Sequence, residues 1–511
     1  MCYDIPERFD IMNTRSSGIL LHITSLPSKF GIGDFGPAAY EFADFLRGTG
    51  QSYWQVLPLN PPASEITQSP YDCVSAFAGN PLLISPALLA KQGLLTAGEI
   101  KGYPAFSEDH VNFRKAIPYK TKLLNTAFER FKAKPDKADF RKFCSENSHW
   151  LDNYANFASL RNHFRTGNWP AWPDEFGNIN KIKSASFQPK PLNSIEKEKF
   201  LQYEFHRQWQ QLKTYCGKLG IKLIGDIPIY VSYQSADVWA NPQFFKLNKA
   251  KRPQFVSGTP PDAFSKTGQM WNNPIYDWQM LKKTGYQWWL ERIKHNLKLF
   301  DVVRIDHFRG FVAYWQIPAN HKTAVGGRWV RVPGEHFFRT LTEAVPEIPF
   351  IAEDLGYITP AVKKLINKYH FPCMRILQFG FTRNPSKNAH YIKNHIQNCV
   401  VYPGTHDNNT IKAWFKDEIS PLQKKMVFQC IGQNVNKDSI HRELVRLTMA
   451  SPANLAVIPM QDILGLGAEA RMNTPGTRAK ANWTWRLESS LITSAIKAAL
   501  KKLTKETGRF P

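Results

Sequence analysis

The chain has 511 residues, 43% of them hydrophobic and 13% aromatic, which is enough for a large core and about two to four structural units. The seven cysteines are scattered and include no CxxC pair, which argues against a disulfide framework. The chain has no run of about 18 apolar residues, which argues against a membrane span, and no N-terminal signal pattern, which argues against secretion. Together these features predict a cytoplasmic protein. The formal net charge of +24 keeps a nucleic-acid partner open, but the basic residues are spread along the chain, which is more typical of a solvated surface.

Two short strands are predicted in the N-terminal 60 residues, with a helix between them. The apolar runs over 18–23 and 52–58 each lead into a loop. Before the helix, Gly31, Gly33 and Gly36 resemble the GxGxxG phosphate-binding pattern. No acidic residue follows the second strand, so a tight turn is the other interpretation of these glycines.

Residues 61–219 differ in character, because they show helical periodicity, are rich in Lys, Asn and Ser, and contain few strand-like runs. Helix-like stretches lie at 86–98, 119–134 and 194–219. We predict a mainly helical insertion here, between the second and third strands of a larger domain formed by 1–60 and 220–511.

Six further apolar runs follow, separated by helix-like stretches. They lie at 221–229, 300–305, 350–352, 374–379, 399–402 and 455–459. Eight short strands alternating with helices predict a (β/α)8 TIM barrel, which is an α/β fold of about 250 residues, and the surplus matches the helical insertion. Too few residues follow the eighth strand for a separate C-terminal β-sandwich domain, so we predict none.

Acidic residues stand at the carboxyl ends of the predicted strands. They are Asp226, Asp306, Glu353, Asp407 (directly after His406) and Asp462. Because the active sites of such barrels lie at this face, these carboxylates should converge. Two carboxylates that face each other suit the cleavage of a glycosidic bond, one as nucleophile or base and the other as acid.

The other interpretation of a carboxylate-rich rim is a Mg²⁺ site. The neighbouring Arg304 and Arg309 disfavour a cation there. The sequence also has neither a His/Cys cluster with metal-ligand spacing nor a GxxxxGK[ST] phosphate loop. We therefore predict no metal and no cofactor.

The stretch DVVRIDHFRG, from Asp301 to Gly310, is the most densely charged of these strand ends. Arg304 and Asp306 are two residues apart, so on a strand their side chains point to the same face. A guanidinium beside a carboxylate keeps that carboxylate ionised, as a nucleophile requires, and Arg309 follows on the other side. A structural salt bridge at the end of a strand explains the same residues, so this motif alone leaves both interpretations open.

Strings along nearly the whole chain resemble the α-amylase clan, and specifically the amylomaltases, which are also called 4-alpha-glucanotransferases or disproportionating enzymes. They include GILLHITSLPS (18–28), GIGDFG (31–36), YWQVLPLNP (53–61), SPYD (69–72), GDIPIYVS (225–232), GTPPDAFSKTGQMWNNPIYDW (258–278), VRIDHFRG (303–310), IAEDLG (351–356), YPGTHDNNT (402–410) and QDILGLGAEARMNTPGT (461–477). The strings RIDHFRG, AEDLG and GTHDN, in this order at three strand ends, are highly specific to the family.

The resemblance implies an enzyme that moves α-1,4-glucan segments from a donor to the 4-hydroxyl of an acceptor glucan or glucose by a retaining double displacement. Asp306 would be the nucleophile, Glu353 the acid and then the base, and Asp407 the residue that grips the distorted sugar ring. In such a site the carboxyls of Asp306 and Glu353 lie about 5–5.5 Å apart. Glu353 must start protonated while Asp306 is ionised.

The resemblance also implies a set of substrate-binding residues. Arg304 would hold Asp306, His406 would donate to sugar hydroxyls, and Tyr71 would form an aromatic platform near the cleaved bond. The loop 256–278 resembles a mobile flap over the acceptor sites. The other residues expected near the glucan are Asp226, Asp262, Phe264, Gln269, Trp271 and His307. Core packing is the alternative role for the aromatic members of this set.

The chain departs from the family pattern at three flap positions. Thr259 stands where the family has Val, Ala263 where it has Tyr, and Asn272 where it usually has Gly. These departures bear on the stiffness of the flap and on the preference for acceptors. They do not bear on the chemistry, because the three carboxylate motifs are intact. Near the C-terminus, Asn473 looks structural.

Transfer is expected rather than hydrolysis, because a flap and aromatic acceptor sites raise the local concentration of sugar and exclude water. The alternatives are an α-glucan hydrolase with the same active centre and a non-catalytic protein that binds glucan or nucleic acid on a barrel scaffold. The latter would need a lost carboxylate, and all three are present. We expect α-1,4-glucans and maltooligosaccharides as partners, and neither nucleic acid nor a membrane, while the oligomeric state stays open.

Overall fold

The structure is a computed structural model that describes residues 14–64, 67–177, 179, 192–261, 265–433 and 435–511. Within these residues the strands, numbered in chain order, are β1 (Ser16–Leu20), β2 (Tyr53–Gln55), β3 (Lys222–Ile227), β4 (Phe255–Thr259), β5 (Gln269–Pro274), β6 (Val302–Ile305), β7 (Ala313–Pro318), β8 (Arg328–Arg331), β9 (Phe350–Ala352), β10 (Cys373–Ile376), β11 (Cys399–Tyr402) and β12 (Leu455–Pro459).

Eight of these strands close into a parallel barrel in the circular order β1, β2, β3, β6, β9, β10, β11, β12. The ring closes where Ser16 of β1 lies opposite Leu455 of β12. The strands are apolar because both of their faces are covered, and Val302 and Val303, for example, are 0% exposed. Each barrel strand overlaps one of the eight apolar runs, so the predicted (β/α)8 barrel is confirmed.

Helices surround the barrel and occupy the long connection between β2 and β3. They are Pro37–Gly48, Pro86–Lys91, Phe113–Lys132, Ala138–Glu146, Ser148–Phe164, Leu192–Lys218, Ala236–Ala240, Trp278–Lys283, Gln287–Leu299, Gly334–Ala344, Pro360–Lys368, Ile411–Ala413, Pro421–Ile431, Ile440–Ala450, Met460–Leu464 and Ser494–Glu506. The long helix Leu192–Lys218 packs against both β3 and the helix Pro37–Gly48. It therefore joins the helical connection to the barrel wall.

A second sheet, which the sequence pattern did not predict, stands at the rim of the barrel. It is antiparallel, with the strand order β5, β4, β7, β8. Three of its strands, β4, β5 and β7, contain glycine, asparagine or proline, which are depleted in strands and typical of loops. Gly258 is needed in β4 because a Cβ there would lie 2.1 Å from the carbonyl oxygen of Gln269 on β5. Pairing between strands, rather than local propensity, forms this sheet.

The glycine-rich loop 31–36 approaches its neighbours too closely for side chains. Gly31 has a φ of +82°, and a Cβ at Gly33 would lie 2.0 Å from the carbonyl oxygen of Ile23. Between the glycines, Asp34 pairs at 3.1 Å with the buried Lys120, which ties the loop to the helix Phe113–Lys132. These contacts account for the glycines as a tight turn.

The C-terminal residues cover the barrel at the ends where the strands begin. Arg509 is fully buried, and its guanidinium donates to the carbonyl oxygens of Ser16 (2.6 Å) and Asn454 (3.2 Å), next to the starts of β1 and β12. The described chain after β12 forms helices and loops, without a β-sandwich. None of the helices in the described ranges combines the length and the apolar character needed to cross a membrane.

Candidate active site

The end of β6 brings three charged side chains into contact. Arg304 lies within this strand, and its side chain is only 5% exposed. Its guanidinium donates to Asp226 Oδ2, near the end of β3, at 2.7 Å, and lies 3.0 Å from Asp306 Oδ1. Arg304 and Asp306 therefore share a face, as their spacing predicts.

Charges around Arg304 reinforce one another. Burial lowers the pKa of Arg304, but the carboxylates of Asp226 and Asp306 outweigh it and raise this pKa well above its usual value. Burial raises the pKa of Asp226, and Arg304 is the main group that opposes this shift. The buried Asp226 therefore anchors the guanidinium beside Asp306, whose own side chain remains 31% exposed.

Aromatic rings line the rim next to Asp226. The hydroxyl of Tyr71 donates to Asp226 Oδ2 (2.8 Å), and its ring stacks on His406 with 5.2 Å between centroids and 13° between planes. Trp483 lies 5.8 Å from Tyr71 and 5.9 Å from His406. Sequence reasoning included Tyr71 and His406 but missed Trp483, which belongs to a C-terminal loop without a recognisable motif.

The end of β9 holds Glu353 with backbone donors instead of a cation. Its Oε1 accepts the N–H of Leu355 and its Oε2 accepts the N–H of His307, each at 2.7 Å. His307 adopts the left-handed conformation, with a φ of +51°. Burial and then the charge of Asp306 raise the pKa of Glu353 to about 8, although Arg304 opposes the shift. Glu353 is therefore mostly protonated at neutral pH.

Asp407, just beyond the end of β11, is held by residues from the C-terminal loop. Its Oδ1 accepts a hydrogen bond from Asn473 Nδ2 (2.6 Å) and lies 3.5 Å from His406 Nε2. Arg471 donates to the carbonyl oxygen of Asp407 at 2.8 Å. The expectation that Asn473 is structural was therefore incomplete, because this amide orients a candidate catalytic carboxylate. The Asp407 side chain is 44% exposed and open to a ligand.

The two histidines of the site are neutral. Burial lowers the pKa of His307 to about 4, against the opposing charge of Asp306. Burial also lowers the pKa of His406, against the opposing charge of Asp407. Both rings consequently serve at neutral pH as hydrogen-bonding groups rather than as cations.

The second sheet covers the flank of the rim beside His307. Trp271 on β5 packs edge to face on His307 with 4.9 Å between centroids, and its indole N–H donates to Gln269 Oε1 (3.2 Å). Gln269 and Trp271 thus lie next to the end of β6, where substrate-binding residues were expected. Asp262 and Phe264, the two other flap residues expected near the glucan, lie outside the described residues.

Local structure explains two of the three departures from the family pattern in the flap. The third, Ala263, lies outside the described residues. Asn272 has a φ of +62°, a conformation that favours glycine and that asparagine tolerates better than most residues. The hydroxyl of Thr259 is buried without a hydrogen-bond partner in the described part of the chain. Asn272 thus preserves the backbone turn, whereas Thr259 carries a small desolvation cost that valine avoids.

Two charged residues expected at the carboxylate cluster make other contacts. Arg309 does not flank Asp306 but stacks on Trp329, with 3.5 Å from the guanidinium carbon to the ring centroid. Asp462 is buried, and its Oδ1 accepts the N–H of Ile411 at 2.8 Å. Asp462 therefore ties the segment after β12 to the segment after β11.

The geometry explains how two carboxylates of opposite character lie side by side. Ile305 of β6 pairs with Ala352 of β9, so Asp306 and Glu353 each directly follow a residue of the same pair. A carboxylate that is paired with a guanidinium, next to a carboxyl group whose pKa is raised by burial, is an arrangement that suits a nucleophile and an acid. Their separation of about 5–5.5 Å stays a prediction. Across the described residues, no three His, Cys, Asp or Glu side chains are grouped so as to hold a metal ion.

Known proteins match this chain over nearly its full length. The family model described as 4-alpha-glucanotransferase matches residues 21–493. A 4-alpha-glucanotransferase of Aquifex aeolicus is 42% identical over 495 residues, which is 97% of this chain and 99% of that protein. A chloroplastic/amyloplastic 4-alpha-glucanotransferase of Solanum tuberosum is 42% identical over 506 residues, 98% of this chain and 86% of that protein.

A solved structure supports the same conclusion. The amylomaltase from Streptococcus agalactiae in complex with acarbose has a TM-score of 0.93 to this structure at 35% sequence identity, and the match covers 97% of this chain and 100% of that one. The predicted family and enzyme class are confirmed. This chain belongs to the 4-alpha-glucanotransferase family of retaining, glucan-transferring enzymes.

Proposed function

We propose that Asp306, Glu353 and Asp407 carry the 4-alpha-glucanotransferase reaction of this chain, with α-1,4-glucans and maltooligosaccharides as donors and acceptors. The contrast between two neighbouring strand ends supports the assignment. Arg304 lies 3.0 Å from Asp306, whereas burial and the charge of Asp306 raise the pKa of Glu353 to about 8. One carboxylate is ready to attack and the other is ready to donate a proton.

In the first displacement, an oxygen of Asp306 attacks the anomeric carbon of the donor and forms an ester bond as the glycosidic C–O bond breaks. Glu353 gives its proton to the departing O4 of the leaving glucan segment. Positive charge develops on the sugar ring during this step. Asp407, oriented by Asn473 at 2.6 Å, binds hydroxyls of the distorted ring and stabilises that charge.

In the second displacement, the ionised Glu353 takes the proton from the 4-hydroxyl of an acceptor glucan or of glucose. That oxygen attacks the anomeric carbon, the ester bond to Asp306 breaks, and a new α-1,4 bond forms with retained configuration. Arg304 stabilises the carboxylate that leaves, and Glu353 is again protonated as it was at the start.

The residues around Asp226 would form the donor side of the site. Tyr71, which stacks on His406 at 5.2 Å, presents an aromatic surface to the sugar next to the cleaved bond. The neutral His406 can donate a hydrogen bond to a sugar hydroxyl. Asp226 acts through its contacts, because it is 2% exposed and accepts from both Tyr71 and Arg304.

The second sheet favours transfer over hydrolysis. Trp271 and Gln269 stand over His307, beside the nucleophile, where an acceptor sugar would pack and displace water. A bound acceptor then has a much higher effective concentration than a free one, and its hydroxyl competes with water for the glycosyl-enzyme. A hydrolase with the same three carboxylates is the alternative that this covered flank disfavours.

The test is product analysis with maltotriose as the sole substrate, beside an Asp306→Asn control. We expect glucose together with a ladder of longer chains at a constant number of reducing ends, and loss of turnover by about 10⁴-fold or more in the control. A rise in reducing ends without longer chains would identify a hydrolase. Equal turnover by the control would refute Asp306 as the nucleophile.

The remaining proposals concern partners, location and domain limits. Six cysteines in the described residues are free thiols, which supports a reducing compartment such as the cytoplasm. Moderate salt should change the rate of transfer little, whereas binding to a nucleic-acid partner would show a steep salt dependence.

The domain limits stay a prediction that limited proteolysis can test. They divide the chain into the first part of the barrel (1–60), a helical insertion (61–219) and the rest of the barrel (220–511), which includes the flap 256–278.

A further inference from the structure

We propose that the exposed ring of Tyr357 is a glucan subsite on the acceptor side of the cleaved bond. We call Tyr357, with the guanidinium of Arg309 and the indole of Trp329 behind it, the Tyr357 platform. Its ligand is one glucosyl unit of an α-1,4-glucan, bound by stacking of the sugar ring on the phenol. The proposal rests on the proposed roles of Asp306 and Glu353 and extends them to a preference for acceptor length.

Hydrogen bonds connect Tyr357 to the loops that follow the two carboxylates. His307 donates its N–H to Glu353 Oε2 (2.7 Å), and Phe308 donates its N–H to the carbonyl oxygen of Glu353 (3.2 Å). Arg309 then donates to the carbonyl oxygen of Tyr357. Hydrogen bonds thus join the loop after β6 to the loop after β9 from the acid Glu353 out to Tyr357, and they fix the position of the ring relative to the reaction centre.

Arg309 and Trp329 pack against one face of the Tyr357 ring. The guanidinium carbon of Arg309 lies 3.5 Å from the centroid of Trp329 and 5.1 Å from the centroid of Tyr357. The two rings are 6.5 Å apart and only 23° from parallel. Arg309 is itself 5% exposed, so its planar group acts as a buried spacer under the tyrosine. Such a brace keeps an aromatic surface in one orientation without a ligand, which lowers the entropic cost of binding.

The phenol nevertheless faces the solvent. Tyr357 is 68% exposed, the largest exposure among the large hydrophobic side chains of the described residues. An exposed aromatic ring that is held by a buried arginine and a tryptophan does not stabilise a core. Its free surface matches the C–H face of a pyranose ring, which packs on the negative face of an aromatic system.

The position of the platform indicates which end of the glucan it binds. Glu353 protonates the leaving oxygen, so the leaving segment and later the acceptor lie on the side of Glu353. Tyr357 follows Glu353 by four residues, and Trp329 belongs to the second sheet, whose Trp271 contacts His307. The sheet thus contacts the rim at two places: Trp271 on its edge strand β5 packs on His307, and Trp329 on its other edge strand β8 packs on Arg309 under the platform.

The test compares acceptors of different length with one long donor glucan. Labelled glucose reaches only the first acceptor position, whereas labelled maltotetraose also reaches positions farther out. We expect Tyr357→Ala to lower kcat/KM by about three- to tenfold with maltotetraose and to leave glucose unchanged. Tyr357→Phe should keep the full rate with both acceptors, because stacking needs the ring and not the hydroxyl.

The matched control is Tyr103→Ala, which removes another exposed tyrosine, in the connection between Pro86–Lys91 and Phe113–Lys132. An equal loss for glucose and maltotetraose in Tyr357→Ala, or no loss for either, would overturn the proposal. Binding of maltoheptaose to the Asp306→Asn protein, with and without Tyr357→Ala, tests the platform without turnover. Weaker binding with Tyr357→Ala supports the platform even if the proposed catalytic roles fail, and equal binding contradicts it.

Discussion

The ends of β6 and β9 are adjacent in the barrel, yet they hold their carboxylates by opposite means. At the end of β6, Arg304 lies 3.0 Å from Asp306 and is itself anchored by the buried Asp226 at 2.7 Å. At the end of β9, no such cation contacts Glu353 among the described residues, and backbone N–H groups at 2.7 Å hold it in a buried position.

The difference suits the roles that we propose for the two carboxylates. A nucleophile that stays anionic between turnovers benefits from a fixed cation, because the charge never needs to disappear. An acid that later becomes a base has to change its charge twice in each cycle. Burial without a directly paired cation keeps the protonated form accessible, while the two N–H donors tolerate the ionised form. The predictions below test each half of this contrast.

Glu353→Gln should have the largest effect. The amide keeps the shape of the side chain but cannot give a proton to the leaving oxygen, so transfer from maltotriose should fall by about 10²- to 10⁴-fold. With α-maltosyl fluoride as donor, the first displacement needs no proton and should lose much less. Glu335→Gln, at an exposed glutamate, is the matched control. An equal loss with both donors in this first step, followed for the fluoride donor as release of fluoride ion, would show that Glu353 is not the acid.

Arg304→Met removes the cation that pairs with Asp226 and Asp306 at the end of β6. It leaves Asp226 buried without its cation, so the free energy of unfolding should fall by about 3–5 kcal/mol, measured by urea denaturation. Adding Asp226→Asn removes the stranded charge and should restore part of that stability without restoring activity. An unchanged stability of Arg304→Met would mean that the ion pair does not hold this strand end together.

The pH dependence of transfer and of stability should test how Glu353 is held at the end of β9. Because the acid that we propose is protonated Glu353, the rate of transfer should fall by about tenfold per pH unit above pH 8. The pKa of Glu353 is raised from its usual 4.5 to about 8 in the folded protein. Its contribution to stability is therefore fully present below pH 4.5 and is lost as the pH rises to about 8.

Denaturation at pH 5 and pH 9 measures that contribution. Glu353→Gln should lose less stability between these two pH values than the unchanged protein does, whereas Glu335→Gln should behave like the unchanged protein. The same pH dependence in all three proteins would contradict a raised pKa at Glu353.

Tyr71→Phe should have the smallest effect. It keeps the ring that stacks on His406 but removes the hydroxyl that donates to Asp226 at 2.8 Å. Because Arg304 still donates to the same oxygen, stability should fall by about 0.5–1.5 kcal/mol and kcat/KM by less than about tenfold. Tyr215→Phe, which removes a surface hydrogen bond to Asp44, is the control for a tyrosine hydroxyl outside the site. A fall in kcat/KM of about 10²-fold or more, without a matching loss of stability, would place Tyr71 in the chemistry itself.

Local patterns in the sequence were sufficient for the barrel and for its acidic strand ends. The β-branched runs such as Val302–Val303 need burial on both faces wherever they lie, so their number and order predict the strands. The two-residue spacing of Arg304 and Asp306 predicts a shared face, because side chains alternate along any strand. The second sheet escaped prediction, because three of its strands contain glycine, asparagine or proline and are held by pairing partners rather than by propensity, while the fourth, β8, is only four residues long.

The partners of side chains were decided by contacts between distant parts of the chain. Asn473 reaches Asp407 from 66 residues away, and no local pattern marks either its direction or that of Trp483. Arg309 stands three residues after Asp306 but turns to Trp329 and Tyr357 instead. Periodicity and motifs act over a few residues, so they identify strands and the charged groups at their ends. Which group contacts which depends on the closed barrel, because only its closure brings the loops of different strands into the same rim.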